Sequence, residues 1–338
     1  MSEKKLRAAV VGCGNISRSH FSAITACGCA ELVAVCDTQR ERADAAAEKF
    51  GVRAYYDMAA LLGDRIADVI HICTPHYLHA TMAIAALETG HHVFCEKPMA
   101  IRYDDALQIK AAAENSGKYF GVCFQNRYND ASRLIKSALE SGRLGAVRGS
   151  RSVVAWDRNA DYYLADAWRG KIDTEGGGVM INQAIHTLDL TAWLVGSPVT
   201  AVQASISTKR LADFIEVEDT ADLLMQYENG ARGVFYATLC AAENAPVEIT
   251  INCEKGKIIL SEQLIIRETG CADEVYDIRC GTGAKAYWGN GHTYIIRDFY
   301  DCILTGGKFP VDADEAIKSV RMTDMLYAAA GRREPRKY

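Results

Sequence analysis

Short runs of apolar residues alternate with helix-like stretches from residue 6 to about residue 123. Six of these runs have the length and the apolar, β-branched character of buried strands. They span residues 6–11, 31–37, 54–56, 69–73, 92–95 and 119–123. Helical stretches lie between them, such as 40–50 before Gly51 and 78–89 before Gly90, and glycine just past a helix end is the usual left-handed cap. Strands that alternate with crossover helices predict an α/β fold with a doubly wound parallel sheet.

After about residue 125 the pattern changes to longer alternating segments. A helix is predicted over 131–141, and strands are predicted over 201–208, 220–227, 231–239, 247–253 and 257–260. The turn Glu228-Asn229-Gly230 joins two of these strands as a hairpin. A second helix is predicted over 179–195, directly after Gly176-Gly177-Gly178. This half of the chain therefore predicts a C-terminal α+β domain with a mostly antiparallel open sheet.

Length and composition narrow the class of protein. The 338 residues correspond to about two domains, and a hydrophobic fraction of 49% is ordinary for a globular chain. The net charge of −5 argues against broad binding to nucleic acid, and no apolar run reaches the roughly 18 residues of a membrane span. The 12 cysteines form no C-x-x-C pair, and several lie in apolar strand-like runs. Together with a polar N-terminus, they predict free thiols in a reducing cytoplasm.

A glycine-rich turn follows the first predicted strand. The segment Gly12-Cys13-Gly14-Asn15-Ile16-Ser17 reads G-x-G-x-x-S, with serine where the dinucleotide fingerprint has glycine or alanine. Gly12 permits the tight turn, and Gly14 lets the backbone approach a pyrophosphate that lies at the helix N-terminus formed by Asn15 and Ile16. The alternative is a plain glycine turn in an α/β domain that binds no dinucleotide.

An acidic residue ends the second predicted strand. Asp37 lies 20 residues after Ser17, where a carboxylate accepts hydrogen bonds from the adenosine ribose hydroxyls of a dinucleotide. A carboxylate also repels a 2′-phosphate, so NAD is favoured over NADP. Arg40 and Arg42 lie close by in the sequence and keep NADP open.

Two further loops follow the fourth and fifth predicted strands. The first reads Cys73-Thr74-Pro75-His76-Tyr77-Leu78-His79, and the second reads Cys95-Glu96-Lys97-Pro98. Ligands of open α/β sheets bind at the carboxyl ends of strands, so both loops belong beside the cofactor. With GCGNIS at the start of the chain and GGGVMINQAIHTLD in its second half, these motifs resemble the Gfo/Idh/MocA oxidoreductase family, which includes glucose-fructose oxidoreductase and inositol dehydrogenase.

The resemblance covers nearly the whole chain and implies its domain organisation. Residues 1–124 would form a dinucleotide-binding Rossmann domain, and residues 125–338 a domain for substrate binding and oligomerisation. Lys97 would be the active-site lysine, which stabilises the alkoxide that develops as hydride leaves. Pro98 would follow a cis peptide bond. The cofactor would also contact residues of these two loops, namely Thr74, Pro75, His76, His79, Glu96 and Lys97, and Gln125 after the last parallel strand.

In the second domain the family pattern is Asp-x-x-x-His, and here it reads Asn182-Gln183-Ala184-Ile185-His186. On a helix this spacing places Asn182 and His186 on one face. The resemblance makes His186 the general base. Asn182 can bind a substrate hydroxyl but brings no charge, and Asp189 is an alternative partner to orient the imidazole of His186. A structural hydrogen bond is the ordinary role of a lone helical histidine.

The segment from 151 to 170 is rich in aromatic rings and arginine. Aromatic faces and planar donors suit a polyhydroxylated ring, and a packed loop is an equally good interpretation. Arg127, after the last parallel strand, is predicted to line the same substrate-binding cleft as this segment. The candidate substrate-binding residues are Lys97, Arg127, Trp156, Tyr163, Trp168, Arg169, Asn182 and His186.

The candidate functions then divide into three classes. The first is an NAD-dependent oxidoreductase that acts on a hydroxyl of a sugar, sugar derivative or cyclitol. The alternative is an NAD-dependent glycoside-cleaving enzyme that oxidises the sugar transiently, and a non-catalytic dinucleotide-binding regulator is the third. No metal is predicted, because the spacing of Cys73, His76, His79 and Cys95 matches no standard zinc pattern. The expected partners are a small polyhydroxylated substrate and a second copy of the chain, as a homodimer or homotetramer, with no nucleic acid and no membrane.

Overall fold

The computed structural model describes residues 5–278, 291–336 and 338. Its contacts divide the chain into two compact units. The first unit comprises Met1–Gln125 and His292–Val320, and the second comprises Asn126–Gly291 and Arg321–Tyr338. Each unit has a sheet of its own.

In the described part of the first unit, six parallel strands form one sheet in the order β3-β2-β1-β4-β5-β6. This strand order is that of a Rossmann fold. The order in which the strands are added to the sheet reverses between β1 and β4. The strands are β1 (Leu6–Val11), β2 (Ala30–Cys36), β3 (Arg53–Tyr55), β4 (Val69–Ile72), β5 (His92–Cys95) and β6 (Phe120–Val122). The crossover helices are α1 (Ser17–Ala26), α2 (Arg40–Phe50), α3 (Met58–Asp64), α4 (His79–Glu88) and α5 (Tyr103–Ser116). The predicted doubly wound parallel sheet is confirmed.

A helix from late in the chain also belongs to the first unit. This helix, α9 (Gly291–Thr305), carries Phe299, whose ring packs 5.0 Å from that of Phe94 on β5. Gly121 on β6 leaves the room that Phe299 and Phe309 occupy, since a Cβ atom there would lie 2.6 Å from the Phe309 ring. The first division of the chain falls between Gln125 and Asn126, and apolar packing joins residues 292–320 to the first unit rather than to the second.

In the described part of the second unit, eight strands form a sheet in the order β14-β13-β12-β11-β7-β10-β9-β8. Of the neighbouring pairs in this sheet, β10 and β7 run parallel and the others run antiparallel, which confirms the predicted mostly antiparallel sheet. The strands are β7 (Val147–Ala155), β8 (Val199–Ser207), β9 (Thr220–Tyr227), β10 (Arg232–Thr238), β11 (Glu248–Cys253), β12 (Gly256–Leu260), β13 (Gln263–Glu268) and β14 (Glu274–Asp277). The helices are α6 (Asp130–Glu140), α7 (Ala160–Leu164) and α8 (Ile185–Val195), and the division between the units falls inside α10 (Ala313–Ala329).

One face of this second sheet forms the core of its unit. Buried and exposed side chains alternate strictly along β9, and Leu223 and Met225 point into the core while Leu224 is 54% exposed. Helices α6 and α8 and the end of α10 supply the other apolar residues of this core. The opposite face of the central strands is not covered by a helix of the described chain. Among the described residues, no helix is both long and apolar enough to cross a membrane.

The segment before α8 differs from its prediction. A helix was expected from residue 179, but the regular helix begins at Ile185, and residues 179–184 form successive turns. The Ala184 amide donates to the carbonyl of Val179, five residues back, at 2.7 Å. The Val179 carbonyl also accepts from the Gln183 amide at 3.2 Å, so it receives bonds at both four-residue and five-residue spacing, and the backbone before α8 departs from a regular α-helix.

Candidate active site

The glycine turn after β1 has the geometry that the sequence requires of it. Gly12 has a φ of 94°, and a Cβ atom on it would lie 2.6 Å from the carbonyl oxygen of Cys73. A Cβ atom on Gly14 would meet no atom within 4 Å, so the backbone there is open to a ligand. The Ser17 hydroxyl donates to the Gly14 carbonyl at 2.6 Å and fixes the turn to the start of α1. Asn15 is exposed and Ile16 half-buried at this helix start.

Asp37 lies beside this turn at the end of β2. Its carboxylate accepts from the backbone N–H of Cys13 at 2.8 Å and from that of Gln39 at 2.8 Å. Strands β1 and β2 are neighbours with Val11 opposite Cys36, which is why the residues that follow each strand meet. Arg40 stacks on the ring of Tyr56 at 3.9 Å. The backbone at Gly14 is therefore accessible to a ligand, and the Asp37 carboxylate lies next to this turn.

His79 ties together the two loops that follow β4 and β5. Its Nδ1 lies 2.7 Å from the carbonyl oxygen of Pro98, and its Nε2 lies 2.9 Å from the carbonyl oxygen of Thr74. The ring is fully buried, and this burial lowers the pKa of His79. The Lys97–Pro98 peptide bond is cis, as the resemblance implies. His79 thus holds the loop of Lys97 against the loop that contains Thr74, Pro75 and His76.

Behind Lys97 lies a chain of four buried polar side chains. Glu96 Oε1 is 2.9 Å from His20 Nε2, His20 Nδ1 is 2.8 Å from His71 Nδ1, and His71 Nε2 is 2.6 Å from the Tyr300 hydroxyl. The Lys97 amide donates to Glu96 Oε2 at 3.2 Å. Sequence reasoning missed His20, His71 and Tyr300. The one available signal was a histidine at position 71, inside an otherwise apolar strand.

Counting donors and acceptors limits where the protons of these four hydrogen-bonded side chains can lie. Burial lowers the pKa of His71, with a contribution from His20, so His71 is neutral. Burial works to raise the pKa of Glu96, but the hydrogen bond and charge of His20 outweigh it, and the pKa is lowered. A neutral His71 has one donor and one acceptor nitrogen, so it either accepts from the Tyr300 hydroxyl and donates to His20, or accepts from His20 and donates to the Tyr300 hydroxyl. In both arrangements His20 donates to an ionised Glu96 beside Lys97.

One group of possible metal ligands lies in the described part of the chain. It consists of His20, Glu96 and Cys123, whose ligand atoms lie within 4.8 Å of one another. Both ring nitrogens of His20 already contact Glu96 and His71, so an ion would have to displace these hydrogen bonds. Gln125, a predicted cofactor residue, is buried near this group, with its Oε1 at 3.9 Å from Cys123 Sγ.

In the second unit, Asn182 is bound by a buried carboxylate that sequence reasoning missed. The Asn182 amide donates from Nδ2 to Glu175 Oε1 at 2.5 Å, and the backbone N–H of Gly170 donates to Glu175 Oε2 at 2.5 Å. His186 is 7% exposed, in the first turn of α8. Asn182 lies in the turns that precede α8, and His186 lies in the regular helix itself.

The predicted substrate-binding arginines and rings are largely engaged within the second unit. Arg127 is buried and paired with Asp189. Trp156 is buried and its indole N–H donates to the Ala245 carbonyl at 3.1 Å, and Tyr163 is 4% exposed. Trp168 and Arg169 are half-buried, with the Arg169 guanidinium 5.5 Å from the Trp168 ring. Of this predicted set, Trp168 and Arg169 keep the most accessible surface.

Comparisons with known proteins agree with this arrangement. Residues 6–124 match the model of the Gfo/Idh/MocA oxidoreductase family with an NAD-binding Rossmann fold, and residues 132–259 match a Gfo/Idh/MocA C-terminal domain. The chain belongs to the Gfo/Idh/MocA oxidoreductase family. The D-apiose dehydrogenase of Paraburkholderia graminis is 31% identical over 340 residues, with 97% of this chain and 88% of the relative covered.

Two solved structures resemble the whole chain. They are WlbA dehydrogenases from Bordetella pertussis and Chromobacterium violaceum, each in complex with NADH and UDP-GlcNAcA. The first is 32% identical with a TM-score of 0.85, and covers 97% of each chain. The second is 33% identical with a TM-score of 0.86, and covers 100% of this chain and 98% of the other.

Proposed function

We propose that this member of the Gfo/Idh/MocA family is an NAD-dependent dehydrogenase of a sugar, sugar derivative or cyclitol. The observation that carries the proposal is that relatives above 30% identity match the chain from end to end, among them a D-apiose dehydrogenase and enzymes bound to NADH and a sugar nucleotide. The dinucleotide turn and the acid beside it are both present in the first unit.

The residues of the first unit fit a nicotinamide dinucleotide. The open backbone at Gly14 and the N-terminus of α1 suit its pyrophosphate, and Asp37 suits the adenosine ribose. NAD is the better choice, because a carboxylate at this position repels a 2′-phosphate. When bound, the nicotinamide accepts a hydride from the substrate carbon.

Lys97 is the proposed electrostatic catalyst. Its ammonium stabilises negative charge that develops on the substrate oxygen as its carbon is oxidised. The backbone of Lys97 is fixed from behind by Glu96 Oε2, and its loop is fixed by His79. This support suits a group that must be positioned before the reaction, since preorganised charge is worth more than charge that has to move.

His186 is the proposed general base, and it takes the proton of the substrate hydroxyl. An imidazole suits this task at neutral pH, and the side chain is nearly buried, which limits competition from water. Asn182 would bind a substrate hydroxyl. Trp168 and Arg169 are proposed to contact the sugar ring, while Arg127, Trp156 and Tyr163 act mainly in packing.

A substrate panel with variants tests this proposal. Polyols, free sugars, sugar nucleotides and glycosides are supplied with NAD or NADP, and reduced nicotinamide is followed by absorbance. Lys97→Ala should abolish most turnover and leave NAD affinity largely intact, and His186→Ala should cost about 10²–10⁴-fold. Lys49→Ala, at an exposed position on α2, is the matched control and should be unaffected. Near-normal turnover in either site variant would refute these assignments.

The same panel separates the glycoside-cleaving alternative. Such an enzyme returns the hydride within each cycle, so a glycoside would disappear without a matching rise of reduced nicotinamide. A dehydrogenase instead produces one reduced nicotinamide for each oxidised substrate molecule.

A further inference from the structure

Glu175 occupies a position that the proposed reaction does not yet explain. It lies seven residues before Asn182, directly ahead of the three glycines, and it is completely buried. Its two carboxylate oxygens are separately engaged, Oε1 by the Asn182 amide and Oε2 by the Gly170 backbone. Burying a carboxylate is costly unless its oxygens are hydrogen-bonded, and these two contacts supply part of that compensation.

The loop that carries Glu175 is held firmly in place. A Cβ atom on Gly177 would lie 1.8 Å from the Tyr327 hydroxyl, and one on Gly178 would lie 1.8 Å from the Glu218 carbonyl oxygen. Glu218 in turn accepts from the Met180 amide at 3.1 Å and from the Tyr327 hydroxyl at 2.9 Å. The glycines therefore serve close packing, and the Glu175 backbone cannot drift away from Asn182.

The surroundings of Glu175 place its titration in the working range of an enzyme. Burial raises the pKa of Glu175 to about 7, against the hydrogen bonds from Gly170 and Asn182. Nearby charged and titratable groups facing it are Arg169, Glu218, Tyr162, Tyr163 and Tyr327. Arg169 favours the ionised carboxylate and Glu218 disfavours it.

The contact has a consequence for the orientation of Asn182. An ionised carboxylate only accepts hydrogen bonds, so it must face the NH₂ group of the amide and not its oxygen. The Tyr162 hydroxyl, 3.4 Å from Asn182 Nδ2, lies on the same side. The amide is therefore turned so that Asn182 Oδ1, its one acceptor, lies on the opposite side from Glu175.

We propose that Glu175 is a positioning residue of the catalytic site, which holds Asn182 so that its Oδ1 accepts from a substrate hydroxyl. This inference rests on the proposed function, in which Asn182 contacts substrate. The family pattern has Asp where this chain has Asn182, and here the carboxylate lies one contact further back, on Glu175. Protonation of Glu175 removes the constraint, since a neutral carboxyl can donate to Oδ1 and let the amide turn.

The proposal changes what is expected of Asn182→Asp. The bare spacing argument predicts an active enzyme, because the variant restores the family residue. The structure instead places the new carboxylate in hydrogen-bond contact with Glu175, so the two buried acids must share a proton. The double variant Glu175→Gln/Asn182→Asp moves the carboxylate to position 182 and provides an amide to donate to it. Its activity should exceed that of Asn182→Asp alone.

Kinetics of four proteins test the proposal: the wild type, Glu175→Gln, Asn182→Asp and the double variant. Each is assayed from about pH 5.5 to 9 on the best panel substrate. Glu175→Gln should raise the KM for the hydroxyl substrate about tenfold, leave the KM for NAD nearly unchanged, and remove a step near pH 7 from the kcat/KM profile. The double variant should recover at least about tenfold over Asn182→Asp. Glu243→Gln, at an exposed position, is the control.

A second measurement does not depend on activity. In ¹⁵N-labelled protein, the side-chain amide signals of Asn182, identified by their loss in Asn182→Asp, should shift with a midpoint near pH 7 and stop doing so in Glu175→Gln. Amide signals that do not shift with pH would overturn the proposal, and so would a Glu175→Gln enzyme with the same kinetics as Glu243→Gln. A double variant that is no more active than Asn182→Asp would also overturn it. A wild type inactive on every panel compound would refute the proposed function, and the amide signals would still decide whether Glu175 holds Asn182.

Discussion

The Arg127 guanidinium binds the Asp189 carboxylate through two parallel hydrogen bonds, from Nε at 2.7 Å and from Nη2 at 2.6 Å. Both side chains are nearly inaccessible to solvent, and the guanidinium also lies 5.6 Å from the Trp193 ring. The sequence suggested Arg127 as a substrate ligand and Asp189 as a partner for His186. In the structure these two charged groups pair with each other. Their bidentate geometry is the one that best offsets the desolvation cost of a buried ion pair.

Breaking this pair should destabilise the protein. Arg127→Ala or Asp189→Ala each leaves one buried charge without its partner, which costs about 3–5 kcal/mol, whereas the double variant removes both charges and should cost less than the sum. Urea unfolding monitored by circular dichroism measures each difference. Arg133→Ala, at an exposed position on α6, is the control. Stable single variants with a raised substrate KM would instead make Arg127 a substrate ligand.

The elements that were predictable are those with a local signal. The strand pattern and the glycine caps fixed most bounds in the first unit to within one residue, for example Arg40–Phe50 before Gly51. Glu175, by contrast, is buried in a turn whose sequence resembles that of any polar loop, and the glycines that follow it pack against Tyr327 and Glu218 from distant parts of the chain. The contact between His71 and Tyr300 joins residues 229 positions apart, so no local pattern shows it.

Asp37 should determine the choice of dinucleotide. Asp37→Ala should weaken NAD binding by roughly 1.5–3 kcal/mol, the range for hydrogen bonds to a charged group. Isothermal titration with NAD and NADP measures both affinities for the wild type and the variant. Because Asp37 also accepts from Cys13 and Gln39, the thermal midpoint without cofactor must be recorded, with Glu48→Ala as an exposed control. Tighter binding of NADP than NAD by the wild type would contradict the assignment.

The buried histidines of the first unit should make it sensitive to acid. Burial lowers the pKa of His292 to about 4, against the attraction of Glu96. A histidine whose pKa is lowered in the folded state contributes stability at pH values above the pKa of the unfolded chain, near 6.5. That stability is lost as the pH falls from 6.5 toward 4. For His292 the loss is roughly 3 kcal/mol over this range. Unfolding free energies from pH 8 to 4 should therefore fall less steeply in His292→Gln, and parallel curves would contradict the shift.

The exposed face of the second sheet should form the contact between copies of the chain. Leu224 and Val234 lie opposite each other on β9 and β10 and are 54% and 50% exposed, and Tyr236 beside them is 39% exposed. Three large apolar side chains together on an open sheet face are typical of an interface. A two-fold contact would bury these three side chains in both copies of the chain. Val234→Asp should therefore shift the protein toward monomers at micromolar concentration, as measured by light scattering. Phe214→Asp, at a similarly exposed residue outside the strands, should leave the assembly unchanged. A wild type that is monomeric under the same conditions would show that this face serves another purpose.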